Sequence, residues 1–362
     1  MDLGLGNALV NKLPDKEKYS DRLDLLVFTN KLSIYLLIII LFLNIILYVS
    51  ISNYPFSLFI GLSIIAICIP FNIVGKYWMY RGRSQNIEYY SLISNLLFSI
   101  LISILFYFQK LTLSIAIISY SLFLLIPKIY FFLKTNILKS SLAFSVKFLG
   151  KLKIIDKKPF LNISINFFFC QILFIAILTS IRYFFAWNNL FEYAGLFDLL
   201  FRPGTIAIMF FVLLLRPVWS QLAHFYISMN KKMCTQLLYI IIAVYIGFIV
   251  LTSILQKINF FSFLFSIWTP GFHGITDTAI TSSLFFTFLV ILNNIISYIM
   301  NGLNLVKEQM YLNLFGLITC LLLFVFLGNQ YEYNNYVMFF TLPFLPLIIL
   351  GFLLIIRKIR EL

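Results

Sequence analysis

Long, uninterrupted apolar runs are the feature that most constrains this chain. Residues 33–52 read SIYLLIIILFLNIILYVSIS, a stretch without a single charge. A helix needs about 20 such residues to cross the hydrocarbon core of a bilayer, where its backbone hydrogen bonds must be satisfied internally. Ten runs of this kind occur, near residues 33–52, 55–75, 90–108, 111–133, 161–181, 196–220, 236–255, 276–300, 311–328 and 337–356. The sequence therefore predicts an all-α polytopic membrane protein with about ten transmembrane helices.

Composition and charge support this class. Of the 362 residues, 62% are hydrophobic and 11% are charged, whereas soluble domains carry about 25% charged residues. The formal net charge is +14. In a membrane protein such an excess is typical of basic cytoplasmic loops rather than of nucleic-acid binding. The four cysteines show no Cys-x-x-Cys spacing, so we expect neither disulfides nor a metal site.

The distribution of basic residues predicts the orientation in the membrane. If the N-terminus is cytoplasmic, 21 of the 27 Lys and Arg residues lie in loops on that side. Only three lie in the opposite loops: Lys110, Arg182 and Lys257. This bias follows the positive-inside rule. Because the number of predicted spans is even, both termini are predicted to be cytoplasmic.

The longest predicted loop divides the chain into unequal halves. Residues 134–160 are basic and amphipathic, which is typical either of a helix on the inner leaflet or of a solvated linker that contacts the spans. The predicted domains are residues 1–133 with four spans, this linker, and residues 161–362 with six spans. Because many transporters are built from equal repeats, four spans beside six predict that two are missing from the first half.

Three segments resemble a known family. They are DLGLGNALVNKL near the start, FEYAGLFDLLFRPGTIAIMFFVLLLRPVWSQLAHFYISMNKK at 191–232, and NNIISYIMNGLNLVKEQMYLNLFGLI at 293–318. In order and spacing they are similar to the polysaccharide flippases that transport O-antigen and teichoic-acid precursors. These share a superfamily with lipid II flippases and multidrug extruders. The resemblance implies a twelve-helix, two-lobe fold that begins here inside its second span, so we expect that residue 1 is not the natural start.

The resemblance also implies a function. It predicts translocation of lipid-diphosphate-linked oligosaccharide repeat units for surface polysaccharide synthesis, by alternating access of a cationic central cavity. The implied partners are an undecaprenyl-diphosphate-linked oligosaccharide, membrane lipids and other proteins of polysaccharide assembly. The implied location is the bacterial cytoplasmic membrane, and neither an enzymatic activity nor a cofactor is expected.

Charged residues within the spans are the candidate substrate-binding residues, because intramembrane charges are usually functional. Asp198 and Arg202 are four residues apart on one predicted helix face and can pair. Arg202 and Arg216 are the leading candidates for diphosphate binding, since arginine forms bidentate bonds with phosphate. Lys128 is a further candidate in the first half. The alternatives are an outer-interface pair with Asp198 for Arg202, and snorkelling to the headgroups for Arg216 and Lys128.

Two further residues are candidates for gating or proton coupling. Asp277 begins the span at 276–300, and His273 lies just before it. The alternative is that both belong to an outer-surface turn. No pattern predicts a catalytic residue or a metal ligand.

Two other functions remain alternatives. A membrane glycosyltransferase or O-antigen polymerase usually presents a large outside loop with acidic or arginine residues, and the predicted outside loops are short. A drug or cation extruder of the same fold usually carries acidic residues in its first-half spans. The four first-half spans contain no Asp or Glu, which favours an anionic cargo.

Overall fold

A computed structural model describes residues 4–13, 19–51, 54–80, 84–110, 112–134, 157–269, 275–328 and 331–362. Within these ranges the regular structure is entirely helical. The helices are α1 (Leu5–Lys12), α2 (Tyr19–Ser50), α3 (Phe56–Tyr80), α4 (Ser84–Tyr107), α5 (Leu113–Lys134), α6 (Lys157–Trp187), α7 (Phe191–Ile227), α8 (Lys231–Lys257), α9 (Phe260–Trp268), α10 (Asp277–Gly302), α11 (Val306–Phe326), α12 (Tyr333–Phe339) and α13 (Leu345–Arg360), with a 3₁₀ turn at Leu342–Phe344 before α13.

The membrane-spanning character predicted from the apolar runs is confirmed. Among the described residues, nine helical segments are long and apolar enough to cross a bilayer. The last of these segments, Tyr333–Arg360, comprises α12, the 3₁₀ turn and α13. The predicted span at 90–108 lies in α4, where the described apolar stretch, Ile93–Leu105, is shorter. The predicted fold class, an all-α polytopic membrane protein, is therefore correct.

The chain forms two compact units, Met1–Phe168 and Phe169–Leu362. The predicted linker at 134–160 lies mostly outside the described residues, since 135–156 are not among them. Helix α6 begins at Lys157 and continues across the division between the units.

In the first unit, α3 packs against both α2 and α5. At Gly61 the approach of α5 is so close that an added Cβ would lie 2.7 Å from Ile117 Cγ2. On the other side, the Asn44 amide of α2 donates hydrogen bonds to the Phe59 carbonyl (2.9 Å) and to Ser63 Oγ (3.0 Å). Small residues and polar side chains of this kind hold helices together in a bilayer.

The apolar turn at the start of the chain forms the short helix α1, which packs against α2 and α3. Leu9 and Leu13 are fully buried in a hydrophobic cluster with Leu26, Ile73 and Tyr77. This segment is too short to span a membrane, and the packing explains its apolar sequence.

In the second unit, α7 and α10 form the most extensive helix pair. Two glycines allow this approach. An added Cβ on Gly204 would meet the Thr287 side chain, and one on Gly302 would lie 2.7 Å from Leu222 Cβ. Two hydrophobic clusters fill this unit, one around Phe184 and Phe286 and the other around Met300.

Tight turns connect successive helices of the second unit. Asn189, Asn259 and Asn304 occupy the left-handed region, with φ of 58°, 56° and 60°. Asparagine enters this region more readily than most residues with a side chain. These turns explain how α6 and α7, or α8 and α9, follow each other after only two or three residues.

Candidate functional site

Helix α7 carries both arginines that the sequence singled out. It is continuous from Phe191 to Ile227, although Pro203 and Pro217 lie within it. Arg202 and Arg216 are separated by almost four helical turns, or about 21 Å at 1.5 Å per residue. They therefore lie on the same side of α7.

The predicted pair between Asp198 and Arg202 is not formed. Asp198 instead accepts a hydrogen bond from Nε of Arg182, which lies near the end of α6. The Arg182 guanidinium also lies 5.6 Å from the centre of the Phe197 ring and 5.9 Å from that of Phe201. The tight turn between α6 and α7 brings these ends together, so a neighbouring helix supplies the cation that neutralises Asp198.

Arg202 interacts with an aromatic ring. Its guanidinium carbon lies 5.9 Å from the centre of the Trp268 ring, at the end of α9. Arg202 itself is exposed, and within the described ranges it makes no salt bridge to a carboxylate. A cation–π contact holds a guanidinium without neutralising its charge, so this position remains positive and accessible.

Arg216 lies at the interface between α7 and α10. Its side chain is half-buried and close enough to the Tyr298 hydroxyl for a hydrogen bond. The Tyr298 ring also packs edge-on against Trp219, with centroids 5.9 Å apart. Arg216 is thus positioned by its neighbours in the second unit.

Lys128 belongs to the first unit, on α5 directly after the buried Pro127. The buried thiol of Cys68 on α3 lies within reach of a side-chain hydrogen bond from Lys128. The role of Lys128 in substrate binding stays a prediction.

Asp277 is exposed at the first position of α10, where its carboxylate accepts a hydrogen bond from Ser262 Oγ at 2.7 Å. Thr276 caps the same helix by accepting from the Ala279 amide at 3.1 Å. The contact with Ser262 ties α9 to α10, which helps to place Trp268 near Arg202. His273 lies outside the described residues, and the proposed coupling role of both residues stays a prediction.

Polar residues that the sequence did not single out surround the same end of α10. Ser283 and the Tyr333 hydroxyl are hydrogen-bonded at 2.9 Å. Ser282 donates to Asn334 Oδ1 at 3.3 Å, and the Asn334 amide donates to Thr278 at 3.2 Å. The available signal was the recurrence of Ser and Thr along α10, but their partners on α12 lie about 50 residues away in sequence.

No protein-family model and no curated protein sequence matches the chain. Solved structures do match in fold. An outward-facing multidrug resistance MATE family transporter of the MOP superfamily is 13% identical, with a TM-score of 0.72 over 99% of this chain and 83% of the other. MATE in complex with MaL6 is 12% identical, with a TM-score of 0.70 over 99% and 84% of the two chains.

A third structure is a MOP superfamily transporter from Pyrococcus furiosus Vc1, described by a binding pocket of reverse polarity that suggests a different function. It is 12% identical, with a TM-score of 0.68 over 99% of this chain and 83% of its own. At these identities the likeness concerns the fold. The chain is therefore a multi-pass membrane protein with the transporter fold of the MATE proteins of the MOP superfamily.

Proposed function

We propose that the protein translocates lipid-diphosphate-linked oligosaccharide units across the bacterial cytoplasmic membrane by alternating access. The observation that carries this proposal is the charge pattern of α7. Arg182 neutralises Asp198, while Arg202 remains an exposed cation whose one charged or aromatic contact among the described residues is the Trp268 ring. An arginine in this state is a suitable contact for a phosphate group.

The surface of α7 between the two arginines favours a lipid-linked anion over a soluble one. Ile206, Met209 and Leu213 lie between them at helical spacing, with exposures of 71%, 62% and 39%. An apolar face with a basic residue at each end suits a cargo that joins phosphates to a hydrocarbon chain. We assign both arginines as phosphate contacts, with Arg202 at one end of this apolar face and Arg216 at the other.

The composition of the interior argues against a cationic drug as cargo. Among the described residues, the buried polar side chains are Ser, Thr, Asn and Gln, without Asp or Glu. A cationic ligand in a low-dielectric site needs a carboxylate to offset its desolvation. In the Pyrococcus furiosus transporter, reversed polarity of the binding pocket suggests a different function, which supports the view that pocket polarity bears on function within this fold.

The complete proposal places both termini in the cytoplasm, in accordance with the distribution of basic residues. Lys128 on α5 stays a further candidate for contact with the cargo. The carrier would be undecaprenyl diphosphate, and the pathway would be surface polysaccharide assembly together with other proteins of that pathway.

A binding experiment separates the two cargo classes. Two unit charges about 4 Å apart attract by about 4 kcal/mol at an effective dielectric constant near 20, before desolvation is subtracted. We therefore expect Arg202→Gln to weaken binding of undecaprenyl diphosphate at least tenfold, which corresponds to about 1.4 kcal/mol. The measurement is microscale thermophoresis of the protein in nanodiscs of zwitterionic lipid.

The matched control is Lys232→Gln, which removes an exposed positive charge at the start of α8 and should leave the Kd unchanged. Tetraphenylphosphonium serves as the cationic probe. Tight binding of this cation without binding of undecaprenyl diphosphate would establish the drug-extruder alternative instead.

A further inference from the structure

A groove lies at the end of α13, on a different helix from the residues assigned to the cargo. Its volume is about 440 Å³, and its lining residues are Leu353, Ile356, Arg357, Arg360 and Glu361. These positions are three or four residues apart, so they share one face of the helix. The face is apolar on the side of the membrane span, where Leu353 is 57% exposed, and charged at its end.

The charged end of the groove carries more cations than anions. Glu361 accepts hydrogen bonds from Arg357 Nε (3.2 Å) and Lys358 Nζ (3.4 Å). The hydrogen bonds from Lys358 and then Arg357 lower the pKa of the Glu361 carboxyl, so it is ionised at neutral pH. Two arginines and one carboxylate line the groove, and within the described ranges the Arg360 guanidinium is in no ion pair. The groove therefore carries a net positive charge.

The end of α13 is also connected to its surroundings. Lys231 Nζ, at the start of α8, donates to the backbone carbonyl of Arg360 at 3.2 Å. The Lys358 ammonium lies 5.7 Å from the centre of the Tyr226 ring, at the end of α7. A ligand that holds Arg357 and Arg360 in place would thus stabilise the contacts among three helix ends.

We propose that this groove binds an anionic phospholipid of the surrounding bilayer. The phosphate would lie between Arg357 and Arg360, and an acyl chain would run along Leu353 and Ile356. Arginine offers planar pairs of donors to phosphate oxygens, and the apolar residues give no contact to a free phosphate ion. The site lies on a different helix from Arg202 and does not depend on the proposed cargo.

Native mass spectrometry and thermal melting test this proposal. The protein is released from detergent with equal amounts of dioleoylphosphatidylglycerol and dioleoylphosphatidylcholine, which differ only in their headgroups. We expect the wild type to retain phosphatidylglycerol at least tenfold more than phosphatidylcholine. Phosphatidylglycerol should also raise the melting temperature, whereas inorganic phosphate should not.

The test variant is Arg357→Gln with Arg360→Gln, and the matched control is Lys232→Gln with Lys257→Gln. Both pairs remove two exposed positive charges. The arginine variant should lose the preference for phosphatidylglycerol, and the lysine control should keep it. Equal loss in both pairs, or equal stabilisation by inorganic phosphate, would overturn the proposal. So would a wild type without headgroup preference, a result that does not depend on whether either variant folds.

Discussion

The contact between Gly204 of α7 and Thr287 of α10 offers a direct test of how the second unit is held together. A Cβ added at Gly204 would meet Thr287 Oγ1, and it would lie 3.0 Å from Cγ2 and 3.2 Å from Cβ of the same residue. The three nearest atoms all belong to this one side chain. The substitution Gly204→Ala therefore tests one defined contact between the two most extensively packed helices.

The expected cost follows from two opposing effects. Overpacking a well-packed interface costs about 1–3 kcal/mol, while alanine stabilises a helix interior by about 1 kcal/mol relative to glycine. Thr287 cannot easily rotate away, because its hydroxyl donates a hydrogen bond to the Ser283 carbonyl at 2.9 Å. The difference between these effects predicts that Gly204→Ala lowers the free energy of unfolding by up to about 2 kcal/mol.

The assay is equilibrium unfolding in mixed micelles of dodecylmaltoside and dodecyl sulfate, followed by circular dichroism. The control is Gly247→Ala on α8, where nothing lies within 4 Å of the added Cβ. This variant should gain about 0.5–1 kcal/mol from helix propensity alone. If Gly204→Ala is stabilised as much as Gly247→Ala, the two helices are not in the described contact.

A double-mutant cycle locates the effect. Thr287→Ala removes Oγ1 and Cγ2, the atoms nearest to the added methyl group. In the Thr287→Ala background, Gly204→Ala should therefore cost about 1 kcal/mol less than in the wild type. Additive behaviour of the two substitutions would contradict the contact, because residues that clash directly must show a coupling energy.

Three more predictions use the described residues. Tyr333→Phe removes the hydrogen bond to the buried Ser283 and should lower the free energy of unfolding by about 1–2 kcal/mol; an unchanged unfolding curve would contradict that bond. Both polar atoms of the buried Asn293 amide lack a hydrogen-bond partner among the described residues. Asn293→Leu should therefore maintain or raise the free energy of unfolding. A decrease of more than about 1 kcal/mol would contradict this prediction and reveal a role for the amide. In a cysteine-free background, a membrane-impermeant maleimide added to whole cells should label the variant Asn188→Cys but not the variant Lys232→Cys. The reverse pattern would refute the predicted orientation.

For each span, the sequence predicted the central part more reliably than the ends. The sequence predicts 196–220 for the span that carries both arginines, but α7 runs from Phe191 to Ile227. A helix of this length extends about 55 Å at 1.5 Å per residue, well beyond a hydrocarbon core of about 30 Å. Its ends leave the apolar region, where hydropathy no longer reports that the chain is helical. The span predicted at 276–300 agrees better, because α10 runs from Asp277 to Gly302 and differs from it by at most two residues at either end.

The sequence predicted which helix carries the candidate residues Arg202 and Arg216 but not the partners of these residues. Arg202 and Arg216 stand out as charges within apolar runs, and both lie on one helix as expected. Their aromatic neighbours, Trp268 and Tyr298, belong to α9 and α10. Neither aromatic residue differs in sequence context from many others, since 19% of the chain is Phe, Trp or Tyr.

The sequence by itself determined which segments cross the membrane, because the free energy of burying an apolar helix in lipid depends on local composition and length. Only the tertiary structure decided which charges meet. Asp198 is four residues from Arg202 and sixteen from Arg182, yet its ion pair is with Arg182. Helical spacing makes the nearer pair feasible, but the turn at Asn189 brings the end of α6 close to the start of α7. The partner of a charged side chain is set by which helix ends the turns bring together, and spacing along a single helix does not report that geometry.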